Sequence, residues 1–177
     1  MKIFEEKVLE KLNEIIASLQ PGEVRLREYI KKPLELEEHN FKINSDGWKK
    51  ITVDGKKYLE NPKKDIWEIL EREYRGEQLF TYDAMMRETK KRGKIVPTDN
   101  ELSELLEIKE DLRNAVLPGR RGTSTAFYGF GSHLNLWSST PSGSSDAWNR
   151  SIDTSDSTVL RYAISRGYGF SVRCLKD

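Results

Sequence analysis

Few side chains in this 177-residue chain could do chemistry. It has two histidines, His39 and His133, and a single cysteine, Cys174. The histidines lie far apart, and neither has neighbours at metal-ligand spacing, so a zinc site is not expected. Asp146, Asp153 and Asp156 could offer oxygens to calcium, which takes about six to eight. Their spacing fits no calcium loop, and turn or strand-edge roles suit them better. Gly129-Phe130-Gly131 lacks the strand-to-helix context of a dinucleotide loop and reads as a turn. No nucleophile-elbow or phosphate-loop pattern occurs. Cys174 alternates with Phe170 and Val172, which places it on a buried strand face as a small hydrophobe. No catalytic constellation assembles, so the chain is expected to be no enzyme and to need no metal or cofactor.

Recognition is the chemistry that remains. Beyond about Arg121 the charge thins out, and Ser, Thr, Gly and aromatic residues take over. Two islands look structural, Leu136–Thr140 (LWSST) and Gly169–Cys174 (GFSVRC). In STVLRYAIS, Thr158, Leu160, Tyr162 and Ile164 share one side of a strand, and Val159, Arg161, Ala163 and Ser165 the other. In SDAWNRSIDT, Trp148 and Ile152 oppose Ala147, Asn149, Ser151 and Asp153. Short antiparallel strands would gather Leu160, Tyr162 and Ile164 on one surface. Alternation alone leaves open whether that surface meets solvent or a plain core. Trp137, Trp148, Phe170 and Val172 are expected to carry the core.

These residues need a frame. The 30 basic and 29 acidic residues nearly cancel to a net charge of +1. No basic face for nucleic acid is apparent. One cysteine allows no internal disulfide. The opening MKIFEEKVLEKLNEII carries acids throughout and reads as neither a signal peptide nor a membrane span, so the expectation is a soluble, intracellular or virion-associated protein. Ile3, Phe4, Val8, Leu12, Ile15, Ile16 and Leu19 predict a first helix, stopped at Pro21-Gly22. Alternation after His39 and the Asp54-Gly55 turn predict a hairpin. Asp65 is read as the cap of a short helix burying Ile66, Trp67, Ile69, Leu70 and Tyr74.

GEQLF reads as a short strand. Thr81 caps a helix from Tyr82 to about Arg92, with Ala84, Met85 and Met86 as buried candidates, closed by a left-handed Gly93. Thr98 and Glu101 form a capping box ahead of Leu102, Leu105 and Leu106. Two helices followed by a β-rich half predict an α+β architecture.

Two segments carry a resemblance. GEQLFTYDAMMRETKKRGKIVPTDNELSELL resembles the strand–helix–helix opening of bacterial and phage proteins with a C-type lectin fold, where a G-x-x-x-P-T-x-x-E pattern opens the second helix. LPGRRG, FYGFGS, LWSSTPSG, AWNR and YGFSVRCLKD resemble the C-terminal half of the same group. Its relatives include the Fibrobacter-type paralogous surface domain and the variable proteins of diversity-generating retroelements. The likeness covers about Arg75 to Asp177. It implies a C-type-lectin-like domain over residues 75–177, with two helices, antiparallel strands and irregular Ser/Gly-rich loops. Residues 1–74 would then be a helix-and-hairpin extension packed on that core.

The resemblance also implies a function. In retroelement variable proteins, Asn codons near the 3′ end of the gene are rewritten, and the affected residues form the ligand-binding face. In the register of the last variable strands, Val159, Arg161, Arg166, Gly169 and Phe170 hold as frame residues. Leu160, Tyr162, Ala163, Ile164, Ser165, Gly167 and Tyr168 occupy the Asn slots, and all are reachable from an Asn codon by changing its adenines. By the same matching Tyr128, Gly129, His133, Leu134, Asn135, Ser151, Asp153, Asp156 and Thr158 are candidate variable positions, within a region of about 122–168. Tyr128, Tyr162 and Tyr168 would anchor binding, since rigid aromatics dominate hot spots. The implied partner is an unknown protein or cell-surface ligand, with no nucleic acid, no membrane insertion and a monomeric chain.

Rival readings differ in what they need. A formylglycine-generating oxidase, which shares only the lectin fold, needs a cysteine pair for copper that Cys174 alone cannot provide. A calcium-dependent sugar lectin needs a Glu-Pro-Asn type loop that is absent. The strongest rival is a constant surface or adhesion domain of the Fibrobacter type.

Overall fold

In the computed structural model, the described residues are 34–37, 41–74, 76–108, 116–153 and 155–176, together with Lys11 and Asn13. The chain forms two compact units, Met1–Glu35 and Leu36–Asp177. The first helix and its packing lie outside the described residues, as does His39, except that Lys11 and Asn13 are helical.

Asp54 and Gly55 both take positive φ, 48° and 76°, as a two-residue hairpin turn requires. They join β1 (Lys49–Val53) to β2 (Lys56–Glu60), with Ile51 opposite Tyr58. β3 (Ile66–Ile69) and β4 (Gln78–Phe80) extend this into an antiparallel four-stranded sheet in the order β1-β2-β3-β4. The short helix expected after Asp65 is therefore wrong, because Ile66 to Ile69 is a central strand buried on both faces. Its apolar run fits helical spacing, but Asn61 holds the chain in a turn instead. The Asn61 side-chain oxygen accepts from the N–H of Asp65 at 2.9 Å and of Ile66 at 3.0 Å. Leu70 ends the apolar run, and Tyr74 sits in a 3-10 turn at Arg72–Tyr74. The hairpin also shares its sheet and its compact unit with β4, so a boundary near residue 75 would fall inside that sheet.

α1 (Tyr82–Lys91) starts at Thr81, whose hydroxyl accepts from the Ala84 N–H at 3.3 Å, and Gly93 follows its end at φ 62°. Ala84 and Met85 are buried, whereas Met86 points out at 40 % exposure. α2 (Asp99–Ile108) opens on a reciprocal box. The Thr98 N–H donates to the Glu101 carboxylate at 2.7 Å, and the Glu101 N–H donates to the Thr98 hydroxyl at 3.3 Å.

A small pair, β5 (Arg120–Arg121) and β6 (Phe127–Tyr128), precedes a meander of β7 (His133–Ser142), β8 (Asp146–Asp153) and β9 (Asp156–Ser165). The final segment stitches these parts together. Phe170 bridges Phe80, Gly169 bridges Arg121, and Ser171 bridges Leu136. Phe170, Val172 and Cys174 are fully buried, and so are Ser171 and Arg173, so both sides of this segment are covered. Arg173 reaches Glu77 at 2.9 Å within the interior. The Trp137 indole donates to the Phe80 carbonyl at 2.7 Å and packs on Phe170 with ring centres 4.4 Å apart. Trp148, expected to carry the core, is only half-buried and is not part of the core cluster; Trp48 packs against that cluster instead.

Candidate ligand-binding surface

Side chains directly opposite in a ladder share a face. Two rows therefore cross one face of the meander: Asn135–Ser151–Leu160 and Trp137–Asn149–Tyr162. Each row runs from interior to solvent. Exposure rises from 1 % at Asn135 through 6 % at Ser151 to 43 % at Leu160, and from 0 % at Trp137 through 1 % at Asn149 to 48 % at Tyr162. β7 is flanked on both edges and is covered; β9 is the outer strand and emerges. Tyr128, on β6, is exposed at 50 %, with the Arg120 guanidinium 5.9 Å from its ring centre.

The opposite face is held by charge. Trp148, Arg150 and Ile152 lie there, opposite Ala163, Arg161 and Val159. Asp99, the first residue of α2, pairs with Arg150 at 2.9 Å and with Arg161 at 2.8 Å. The Arg161 guanidinium also stacks 3.3 Å from the Trp148 ring centre. Trp148 and Ile152 thus oppose Ala147, Asn149 and Ser151 as alternation predicts, but Ala147, Asn149 and Ser151 form the more buried row, and Trp148 is capped by Arg161. Small polar residues fill that row because β8 is the central strand.

The candidate positions fall into distinct environments. Tyr128, Thr158, Leu160, Tyr162 and Ala163 are exposed, with Ala163 on the opposite face from the other β9 residues. Leu134, Asn135 and Ser151 are buried, so they do not display to solvent. Gly129 has φ +67°, and a Cβ there would sit 2.8 Å from the His133 Nδ1, so this position demands glycine. Ile164 and Tyr168 are half-buried against the core, Tyr168 with its ring 5.8 Å from Phe170. Tyr168 is therefore seated as a packing residue more than as a free anchor. Ser165 is half-buried at the end of β9, and Asp156 opens β9 as the ladder partner of Asp153.

His133 and Asp153 are half-buried partners across β7 and β8, with Nε2 to Oδ2 at 3.1 Å. The Ser132 hydroxyl lies 2.7 Å from the other ring nitrogen. Hydrogen bonds from the Ser155 backbone and hydroxyl, aided by His133, hold the Asp153 carboxyl below its ordinary pKa. Both the Ser132 and His133 N–H groups are spent on the Gly129 carbonyl, at 3.0 and 2.9 Å. The cluster thus fastens the turn that carries Tyr128. No group of three or more metal-ligating side chains occurs among the described residues. None of their helices is long and apolar enough to cross a membrane.

The frame residues have physical jobs. Arg166 donates to the carbonyls of Asp146 at 3.3 Å and Gly143 at 3.1 Å and sits over the Tyr82 ring. At Gly169 a Cβ would meet Arg121 and Trp67 at 3.0 Å. The sequence reading did not find the Arg150–Asp99 pair; an arginine in a strand otherwise rich in small residues was its only signal.

Two helices, antiparallel sheets and a meander whose outer strand exposes Leu160 and Tyr162 make an α+β domain. Residues 61–176 match the Fibrobacter succinogenes major domain, and the chain belongs to that family. The match begins at Asn61, ahead of β3, and so takes in more of the four-stranded sheet than the sequence motifs did. No curated protein matches the chain, and no solved structure does.

Proposed function

We propose that this chain is a non-enzymatic ligand-binding protein of C-type lectin fold. Tyr128, Thr158, Leu160 and Tyr162 display its specificity, and a diversity-generating retroelement rewrites those positions. The observation that carries this reading is the graded rows across the meander. The residues in Asn-codon slots at Leu160 and Tyr162 emerge to solvent, while their frame neighbour Arg161 is tied to Asp99 at 2.8 Å. Three of the exposed large hydrophobic residues, Tyr128, Leu160 and Tyr162, belong to the positions that the resemblance picked out. Exposed substitutions usually change stability by less than about 0.5 kcal/mol, whereas core changes cost several. A face of this kind can change its ligand and keep its fold. The Ser132–His133–Asp153 chain does not argue for acyl transfer, since the nearby N–H donors are already bonded.

A reading without diversification, as a constant surface or adhesion domain, is favoured by the family match alone. Sequencing many copies of the gene separates the two. Variation concentrated at 160 and 162 with Arg161 and Phe170 fixed supports rewriting. Invariant residues at 160 and 162, with drift elsewhere, would leave the constant domain.

A further inference from the structure

The main chain of β9 offers more than its side chains do. The Ser171 N–H donates to the Asn135 carbonyl at 3.0 Å, and the Trp137 N–H donates to the Ser171 carbonyl at 3.2 Å. The Gly119 N–H donates to the His133 carbonyl at 2.9 Å. The odd residues of β7 therefore direct their main-chain groups away from β8. Bonded and non-bonded pairs alternate along an antiparallel ladder. β7 thus bonds β8 through Leu134 and Leu136, and β8 bonds β9 through the pairs Asn149–Tyr162 and Ser151–Leu160. The Trp148 carbonyl accepts from the Ser138 hydroxyl on the β7 side at 2.8 Å, in agreement.

It follows that Val159, Arg161 and Ala163 turn their N–H and C=O groups outward. β9 is the last strand of its sheet, and none of these groups has a hydrogen-bond partner among the described residues. Natural edge strands are normally blunted by lysine, proline or bulges. β1, an edge strand of the four-stranded sheet, has exposed Lys49 and Lys50. From Thr158 to Ser165 the only charged residue is Arg161, and it is drawn back onto Asp99 and Trp148. The one irregularity between β8 and β9 lies at Ile152/Asp153, at the far end.

We infer that β9 binds its partner by strand addition: an uncharged, extended segment of a partner polypeptide pairs with the outward groups of Val159, Arg161 and Ala163. This rests on the reading of the face as a binding surface. Main-chain hydrogen bonds supply an affinity that replacements other than proline leave in place, and alternate partner residues meet Leu160 and Tyr162. A second copy of the chain is the poorer occupant. Twofold pairing about the middle of the outward set places Arg161 opposite Arg161, and like charges directly opposite are destabilising.

The test uses the whole chain and a displayed library of linear ten-residue peptides, alongside a displayed library of folded domains. Selection on the wild type is expected to enrich peptides with alternating apolar residues and no net charge. Binding should protect the Val159, Arg161 and Ala163 amides from hydrogen exchange, while the Leu160 and Tyr162 amides are protected already. Ala163→Pro removes one outward N–H and leaves the β8 ladder intact, a placement that edge strands tolerate. It should weaken the selected peptides at least about tenfold, with the melting temperature held within a few degrees. Peptides that bind Ala163→Pro as tightly as the wild type would overturn strand addition, as would a failure to enrich any peptide. So would a wild-type dimer whose 159, 161 and 163 amides are protected without peptide. Folded-domain binders that lose affinity with Tyr162→Ala but not with Ala163→Pro would leave the binding surface standing and remove only its strand mode. If Ala163→Pro does not fold, the amide protection pattern on the wild type decides alone.

Discussion

Replacing Tyr162 by alanine separates a display residue from a core residue. The Tyr162 ring is 48 % exposed on the outer strand. Full burial of a large apolar side chain is worth about 1.5–3 kcal/mol, so the half-covered ring contributes roughly 1 kcal/mol. In a chain of this size that shifts the melting temperature by about 2–4 °C. Phe170 is the internal standard, fully buried between Phe80, Trp137 and Tyr168. Phe170→Ala should cost about 3–5 kcal/mol, or roughly 6–20 °C. Differential scanning calorimetry of the two variants beside the wild type reads both values. A domain binder selected on the wild type supplies the other half, since loss of a central aromatic anchor costs about 2 kcal/mol or more, roughly thirtyfold in Kd. A fall of more than about 8 °C for Tyr162→Ala would make Tyr162 a core residue and refute the graded-row argument.

Three other outcomes follow from the same geometry. Gly129→Ala should destabilise by about 1–3 kcal/mol in urea, since it combines a left-handed backbone with a Cβ 2.8 Å from the His133 ring; a neutral result would restore Gly129 as a variable position. Asp99→Ala leaves the buried Arg150 without its carboxylate and frees Arg161, and should cost about 3–5 kcal/mol by chemical denaturation. Burial pushes the Glu88 carboxyl up, but hydrogen bonds from Arg92, Arg87 and Lys91 outweigh it and hold its pKa at about 2. A depressed carboxylate contributes stability that is complete above its unfolded pKa near 4.3 and is lost as pH falls toward about 2. With Lys91 largely exposed, that loss is on the order of 1–2 kcal/mol, and Glu88→Gln should flatten it in pH-dependent melts.

The sequence was most legible where the structural cause is local. Asp54-Gly55, Thr81, Gly93 and the Thr98/Glu101 box each act within about four residues, and each does what its type predicts. Misreadings arose where distant contacts decide. Ile66, Trp67 and Ile69 fit a helical stripe, but pairing with β2 and β4 makes them a strand, with Glu68 hydrogen-bonded by Gln78 at 3.1 Å. Leu134, Asn135 and Ser151 matched variable slots, yet β7 and β8 are covered where β9 is not. Alternation names two faces and cannot say which is covered. That depends on α2 packing against β7 and β8, on Arg161 folding over Trp148, and on Gly119 and Ser171 closing the far edge of β7. The outward main chain of Val159, Arg161 and Ala163 left no positive signal, only the absence of lysine and proline.

A binding face whose residues vary must still keep its register, because a slip of one residue would turn every side chain to the other face. Here the register is fixed by groups that avoid the display positions. Arg161 is clamped between Asp99 and Trp148 on the face opposite Leu160 and Tyr162, and the Arg166 N–H bonds Ser145 at 3.0 Å while its side chain holds two further carbonyls. The chain then enters the tight passage at Gly169, where a Cβ would sit 3.0 Å from both Trp67 and Arg121. Leu160 and Tyr162 take part in none of these fastenings through their side chains. Changing them alters what the surface touches, while the outward main-chain groups stay where the clamps put them. An unguarded edge is a liability in a strand that varies without constraint. Clamped at Arg161 and Arg166, it becomes a fixed template with interchangeable side chains, which is the arrangement that strand addition needs.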